Sequence, residues 1–100
     1  MLTEKQVKDW VKALRSGKYR QCFGIIAESD GSVCALGVKC KVLGEDNMGY
    51  ERNLRRWFVI FVENMNDKAK LSFPEIADWI EGLDAAEREW AKEMGVEPWE

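Results

Sequence analysis

An apolar run, an Asp-Gly pair and a second apolar run, from Gly24 to Leu43, most constrain what this chain can fold into. The stretch reads Gly-Ile-Ile-Ala-Glu-Ser-Asp-Gly-Ser-Val-Cys-Ala-Leu-Gly-Val-Lys-Cys-Lys-Val-Leu. Asp30-Gly31 between apolar runs is a hairpin signal, because a two-residue primed turn needs positive φ. It predicts a first strand over Cys22 to Glu28 and a short second strand over Ser32 to Ala35. Beyond the turn, Val33, Leu36, Gly37, Cys40 and Leu43 fall at helical spacing, so the chain is expected to pass from strand into helix. A strand continuing through Val42 is the alternative, since Val38 and Val42 favour β structure. Gly37 costs about 1 kcal/mol relative to alanine inside a helix, and close approach of another element is a physical reason to keep it.

Local chemistry marks the other elements. Thr3-Glu4-Lys5-Gln6 is a capping box, with Leu2 and Val7 at its staple positions. Val7, Trp10, Val11 and Leu14 then make one apolar stripe, and Ser16-Gly17 supplies the stop. Residues 44–49 read as a loop. Tyr50, Leu54, Trp57, Phe58, Phe61, Val62 and Met65 form a broad helical face; the unbroken apolar run Trp57–Val62 would also suit a buried strand. Arg52, Arg55 and Arg56 before it and Glu63-Asn64 after it extend the segment to helix length, which favours helix. Residues 66–70 read as a polar loop. Ser72-Phe73-Pro74-Glu75 is a second capping box, with Leu71 and Ile76 as its staple. Ile76, Ala77, Ile80 and Trp79 are placed inward, Gly82 closes that helix, and Asp84 opens a last one ending at Gly95.

Charge is unevenly spread. Residues 1–43 carry eight basic against four acidic side chains, and residues 75–100 carry nine acidic against two basic. The split suggests a partner for one end, although solvated helix faces are the simpler account. No apolar run nears the roughly 18 residues of a membrane span, and the N-terminus lacks the apolar block of a signal peptide. Three cysteines, with no His in the chain, fit neither a disulfide framework nor a zinc ribbon. They read as small buried hydrophobes of a cytoplasmic protein.

One order of motifs is familiar. Trp10…Leu14-x-Ser16-Gly17-Lys18-Tyr19-x-Gln21, then Cys34-x-Leu36-Gly37-Val38-x-Cys40, then Asn66-Asp67…Ser72-Phe73-x-Glu75-Ile76-Ala77-Asp78-x-Ile80-Glu81, resembles small uncharacterised proteins of tailed phages and prophages. The likeness runs through most of residues 7 to 82. In that family a Cys pair usually precedes the Leu-Gly-Val, whereas here Ala35 replaces its second member, which argues against a metal or redox role for the pair. The resemblance implies a phage or prophage accessory gene and brings no activity with it.

Candidate chemistry is sparse. Cys34 and Cys40 have no His partner and sit among apolar residues, so core packing outweighs a reactive thiol. Asp78/Glu81 and Glu89/Glu93 share helix faces but lack an apolar setting that would tune an acid against a base. No phosphate-cradling glycine pattern is present. No catalytic residue, metal site or cofactor is therefore expected. Lys18, Tyr19, Arg20 and Gln21 combine cations, an aromatic and an amide after a helix end, where an anion or base could be held by charge and stacking. The plain alternative packs the Tyr19 ring on the core. Asn66 and Asp67 are the second candidate for ligand or partner contact, with turn chemistry as the plain alternative.

The expected architecture is α+β, a β-hairpin with its trailing helix packed against three to four α-helices, helix predominating. It forms a single domain over 1–100, with 95–100 as a loose tail. The expected function is that of a non-enzymatic phage or prophage accessory protein, binding a host protein in the host cytoplasm and countering antiviral defence. A small-molecule binder for a nucleotide-like anionic ligand is the alternative. A nucleic-acid module comes second, disfavoured by the acidic balance. Oligomeric state stays open.

Overall fold

A computed structural model describes residues 2–96. Among these residues there are four α-helices: α1 (Glu4–Arg15), α2 (Ala35–Leu43), α3 (Arg56–Glu63) and α4 (Phe73–Met94). A 3-10 turn, Asn47–Gly49, precedes α3, and one turn of π-helix, Asn64–Lys68, follows it. Among the described residues no helix is long and apolar enough to cross a membrane.

Both capping boxes form as their sequences require. Thr3 Oγ1 accepts from the Gln6 N–H at 3.1 Å while Gln6 Oε1 accepts from the Thr3 N–H at 2.9 Å. Ser72 and Glu75 repeat the exchange at 3.3 and 3.0 Å. These reciprocal bonds satisfy amides that a helix start otherwise leaves open. Behind them, α1 buries Val7, Trp10, Val11 and Leu14, and α4 buries Phe73, Ile76, Ala77 and Ile80. Full burial of an aliphatic side chain of this size contributes about 1.5–3 kcal/mol.

The centre of the molecule is α2, whose residues Ala35 to Cys40 are all buried. It packs against α1 and α3, and the Trp10 indole N–H donates to the Ala35 carbonyl at 2.9 Å across that contact. Cys34 caps the helix, its Sγ accepting from the Gly37 N–H at 3.4 Å. The last turn of α2 leaves the core, with Lys41 exposed and Val42 and Leu43 half-buried.

The α+β expectation is overturned. Among the described residues no strand forms, and the stretch from Cys22 to Val33 is irregular chain with two isolated bridges, Gln21 to Val33 and Ala27 to Val33. The Asp30-Gly31 turn does exist: Gly31 has φ +89° and its N–H donates to the Glu28 carbonyl at 3.0 Å. A hairpin fails to grow from it for two reasons. Asp30 Oδ1 takes both the Ser32 N–H and hydroxyl, a local turn in place of a ladder. The second apolar run is spent on α2 from Ala35 onward, so pairing across the turn stops at the bonds Glu28 N–H to Ser32 carbonyl and Cys34 N–H to Ile26 carbonyl, while Val33 bonds to Arg20 and Cys22 on its other side.

Other expectations shift with the packing. The trailing helix is present, and Trp57–Val62 lies in α3 and not in a strand. Trp57, Phe61 and Trp79 face outward. Tyr50 and Leu54 precede α3 as loop residues, and the supposed polar loop at 66–70 begins as the π turn. Gly82 does not end a helix: α4 runs through it, because Ile80, Asp84 and Ala91 continue one buried face. The tail expected from residue 95 lies, beyond Val96, outside the described residues, as does Trp99.

Gly37 is held to glycine by contact. A Cβ there would overlap the Ile26 carbonyl oxygen and lie 3.0 Å from Val33 Cβ. The Ile26 carbonyl cannot easily retreat, since it accepts the Cys34 N–H at 2.9 Å. Gly37→Ala is expected to cost about 1–3 kcal/mol by overpacking, measured as a lower urea midpoint. An unchanged midpoint would mean the loop moves aside freely.

Candidate functional site

Asn66 and Asp67 are drawn inward by the π turn. The Ala69 N–H reaches back five residues to the Asn64 carbonyl at 2.9 Å, widening the backbone there. Such turns recur at functional sites, since the extra residue re-aims its neighbours. Asn66 is 1% exposed. Its Oδ1 accepts from Gln21 Nε2 at 2.9 Å and from the Ala35 N–H at 3.2 Å. Its Nδ2 donates to the Cys22 carbonyl at 2.9 Å and to Asp67 Oδ1 at 2.7 Å. Those four bonds use the full capacity of an amide side chain, so Asn66 ties the 21–24 loop to the start of α2 and to the π turn.

Two neighbours complete the knot. Gln21 Nε2 also donates to the Leu71 carbonyl at 2.8 Å. Asp67 Oδ1 accepts the Gly24 N–H at 2.9 Å, where Gly24 has φ +75°. That bond latches the loop across the end of α3. On its outer side Lys70 lies over the exposed Phe23 ring, 4.3 Å from the centroid.

Beneath the latched loop is a partly enclosed cavity of about 310 Å³. Gly24, Ile25 and Ile26 form one wall; Cys34, Leu36 and Val62 supply apolar lining; Tyr50, Glu63, Asn66 and Asp67 supply the polar part. Burial pushes the Glu63 carboxyl above the ordinary carboxylate range, and the nearby charges of Asp67 and Glu51 push it further, with Arg56 opposing. Glu63 therefore gains from any cation brought into the cavity. Burial also pushes the Cys34 thiol up to about 11, so at neutral pH it is a protonated, weakly reactive wall group.

The sequence candidates divide. Asn66 and Asp67 line the cavity, and Gln21 supports them from behind. Lys18 and Tyr19 stay at the exit of α1, the Lys18 ammonium 5.8 Å from the Tyr19 ring centroid and Tyr19 packed on the core. Arg20 pairs with Asp30 at 3.2 Å, on the turn at 28–32. Glu63 and Tyr50 were not singled out from sequence. Glu63 could have been: it stands four residues before Asp67, a spacing that puts two carboxylates on neighbouring positions of a helical turn.

A second buried polar feature escaped the sequence reading. Lys39 is 0% exposed, and its ammonium pairs with Glu45 Oε1 at 2.6 Å and faces the Tyr50 carbonyl at 3.4 Å. A lysine set between Val38 and Cys40 in a mainly apolar run was the available signal.

The family model described as Domain of unknown function (DUF8296) matches residues 3–56, more than half of the chain. The chain belongs to that family. The DUF8296 segment contributes the 24–26 loop, Cys34, Leu36 of α2 and Tyr50 to the site, while Val62, Glu63, Asn66 and Asp67 lie beyond it. Comparison with curated proteins and with solved structures gives no match.

Proposed function

We propose that the protein is a non-enzymatic binding module, a phage or prophage accessory protein that engages a host component in the host cytoplasm, with antiviral defence as the process it counters. The cavity beneath the 24–26 loop receives a positively charged group of that component, an amine or a guanidinium. The phage setting rests on the motif order. The choice of a cationic group rests on one observation: Glu63 and Asp67 both line a small cavity that, among the described residues, holds no basic side chain in its walls. Partial burial and the neighbouring acids penalise the negative charge of Glu63, so a cation brought beside it is favoured. The Tyr50 ring adds a π face for the same kind of group. A nucleotide-like ligand would set its phosphates against two carboxylates.

Thermal-shift measurements against primary amines, guanidines and nucleotides test this reading. Amines or guanidines should raise the unfolding temperature, since a ligand of the native state alone adds about 2.7 kcal/mol at a hundredfold excess over Kd. Glu63→Gln combined with Asp67→Asn should remove the shift. Asn at 67 keeps an oxygen for the Gly24 N–H, so the latch survives the loss of charge. Binding should strengthen as pH rises through the titration of Glu63, because the raised carboxyl must lose its proton to hold a cation. In a bacterial lysate the double variant should lose the specific partner that the parent captures. A shift with nucleotides only, or an amine shift unchanged in the double variant, would sink the proposal.

A further inference from the structure

We infer that the aromatic seam between α3 and α4 is a self-complementary interface at which a second copy of this chain docks. The two helices run antiparallel and are bridged at both ends. Phe61 and Trp79 meet with centroids 5.9 Å apart, and Arg55 Nε lies 3.5 Å from Glu87 Oε1. Between and beside these bridges, Trp57, Trp79 and Trp90 are 44%, 52% and 48% exposed. One hollow, of about 310 Å³, opens into the seam between Trp57 and Trp90. A second, of about 510 Å³, lies beside the seam on α4, next to Trp79 and Leu83, with Glu75 and Asp78 also in its wall. Gly82 deepens the second, as nothing stands within 4 Å of where its Cβ would be. Large aromatic groups set beside hollows of side-chain size are what an interface core needs on both partners.

Charge decides the occupant. The outer rim of the seam on α4 carries exposed Glu75, Glu89 and Glu93. On the α3 side Arg56, which also lies near Glu63, and, next to Phe61, Lys68 are exposed. A partner of one sign would meet like charge along one rim. A second copy, related by a two-fold axis parallel to the helices, places α4 of one protomer over α3 of the other. Each acidic rim then faces a basic one, and the four helices form a bundle with the tryptophans inside. This inference is independent of the cavity and its ligand.

Sedimentation velocity over a wide concentration range, with circular dichroism as the folding control, tests it. The parent should show a concentration-dependent monomer–dimer equilibrium. Trp57→Glu and Trp90→Glu should each weaken it by at least about tenfold with helicity unchanged, as hot-spot aromatics do. Reversing the acidic rim alone (Glu75→Lys, Glu89→Lys, Glu93→Lys) should also weaken it. Adding Arg56→Glu and Lys68→Glu to that variant should restore association. A parent that stays monomeric at the highest concentration, or a dimer indifferent to both tryptophan changes, would overturn the inference. So would failure of the full charge swap to recover what the half swap lost.

Discussion

Asn66→Ala is expected to lower stability by about 3–5 kcal/mol, because it strips partners from two backbone groups that cost about 1–3 kcal/mol each when left unmet. The groups are the Ala35 N–H at the start of α2 and the Cys22 carbonyl in the loop. Gln21 keeps its bond to Leu71, and Asp67 keeps the Gly24 N–H, so the loss is confined to those two contacts. Urea unfolding measures the total, and hydrogen exchange should show lost protection at the Ala35 amide. Asn66→Asp supplies a sharper control. A carboxylate buried beside Asp67 has its pKa raised, so the native state binds the extra proton. The destabilisation should shrink as pH falls and grow as pH rises through that titration. A loss below about 1 kcal/mol for the alanine variant would mean that the knot is decoration on a loop held elsewhere.

Glu45→Gln should cost a comparable amount, about 3–5 kcal/mol, by leaving the Lys39 ammonium buried without its counter-charge. Lys39 is enclosed on α2, whereas the other lysine of that helix, Lys41, is exposed; Glu45 is the carboxylate that reaches Lys39, at 2.6 Å. Replacing both partners, Lys39→Met with Glu45→Leu, should recover most of that loss, since an apolar pair in the same space avoids the desolvation of two ions. The informative quantity is the difference between single and double variants under one set of unfolding conditions. A double variant as unstable as the single would show that Lys39 is held by more than its charge pair.

What could be read in advance was local. Thr3 with Gln6 and Ser72 with Glu75 announce helix starts through bonds only three residues long, and both formed. The stripe Val7–Trp10–Val11–Leu14 is legible because α1 has one wet face and one dry face. Failure came where distant contacts decide. Asp30-Gly31 makes its turn, but whether flanking chain pairs across it depends on α2, which takes Ala35 to Cys40 into the core. The helical spacing of Val33, Leu36, Gly37, Cys40 and Leu43 announced that helix, but not that it would start at Ala35 and leave the second strand too short to form. Gly82 looked like a stop because glycine is costly in a helix, and a buried face on both sides of it outweighed that cost. Asn66 and Asp67 were visible as a polar pair after an apolar run. Their inward direction was not, because it comes from one π turn whose hydrogen bond no residue pattern encodes. Arg20 could not be assigned for the same reason: its partner, Asp30, is a matter of where the loop folds.

The central claim, a cationic site in the cavity between the 24–26 loop and Glu63, is open to a direct measurement. Isotope-labelled protein titrated with a simple primary amine should show saturable amide chemical-shift changes at Gly24, Ile25, Glu63 and Asp67. The Glu63→Gln, Asp67→Asn variant should lose them while keeping a native spectrum. Changes that never saturate, or that fall on the acidic outer face of α4 and leave those four amides unmoved, would contradict the account.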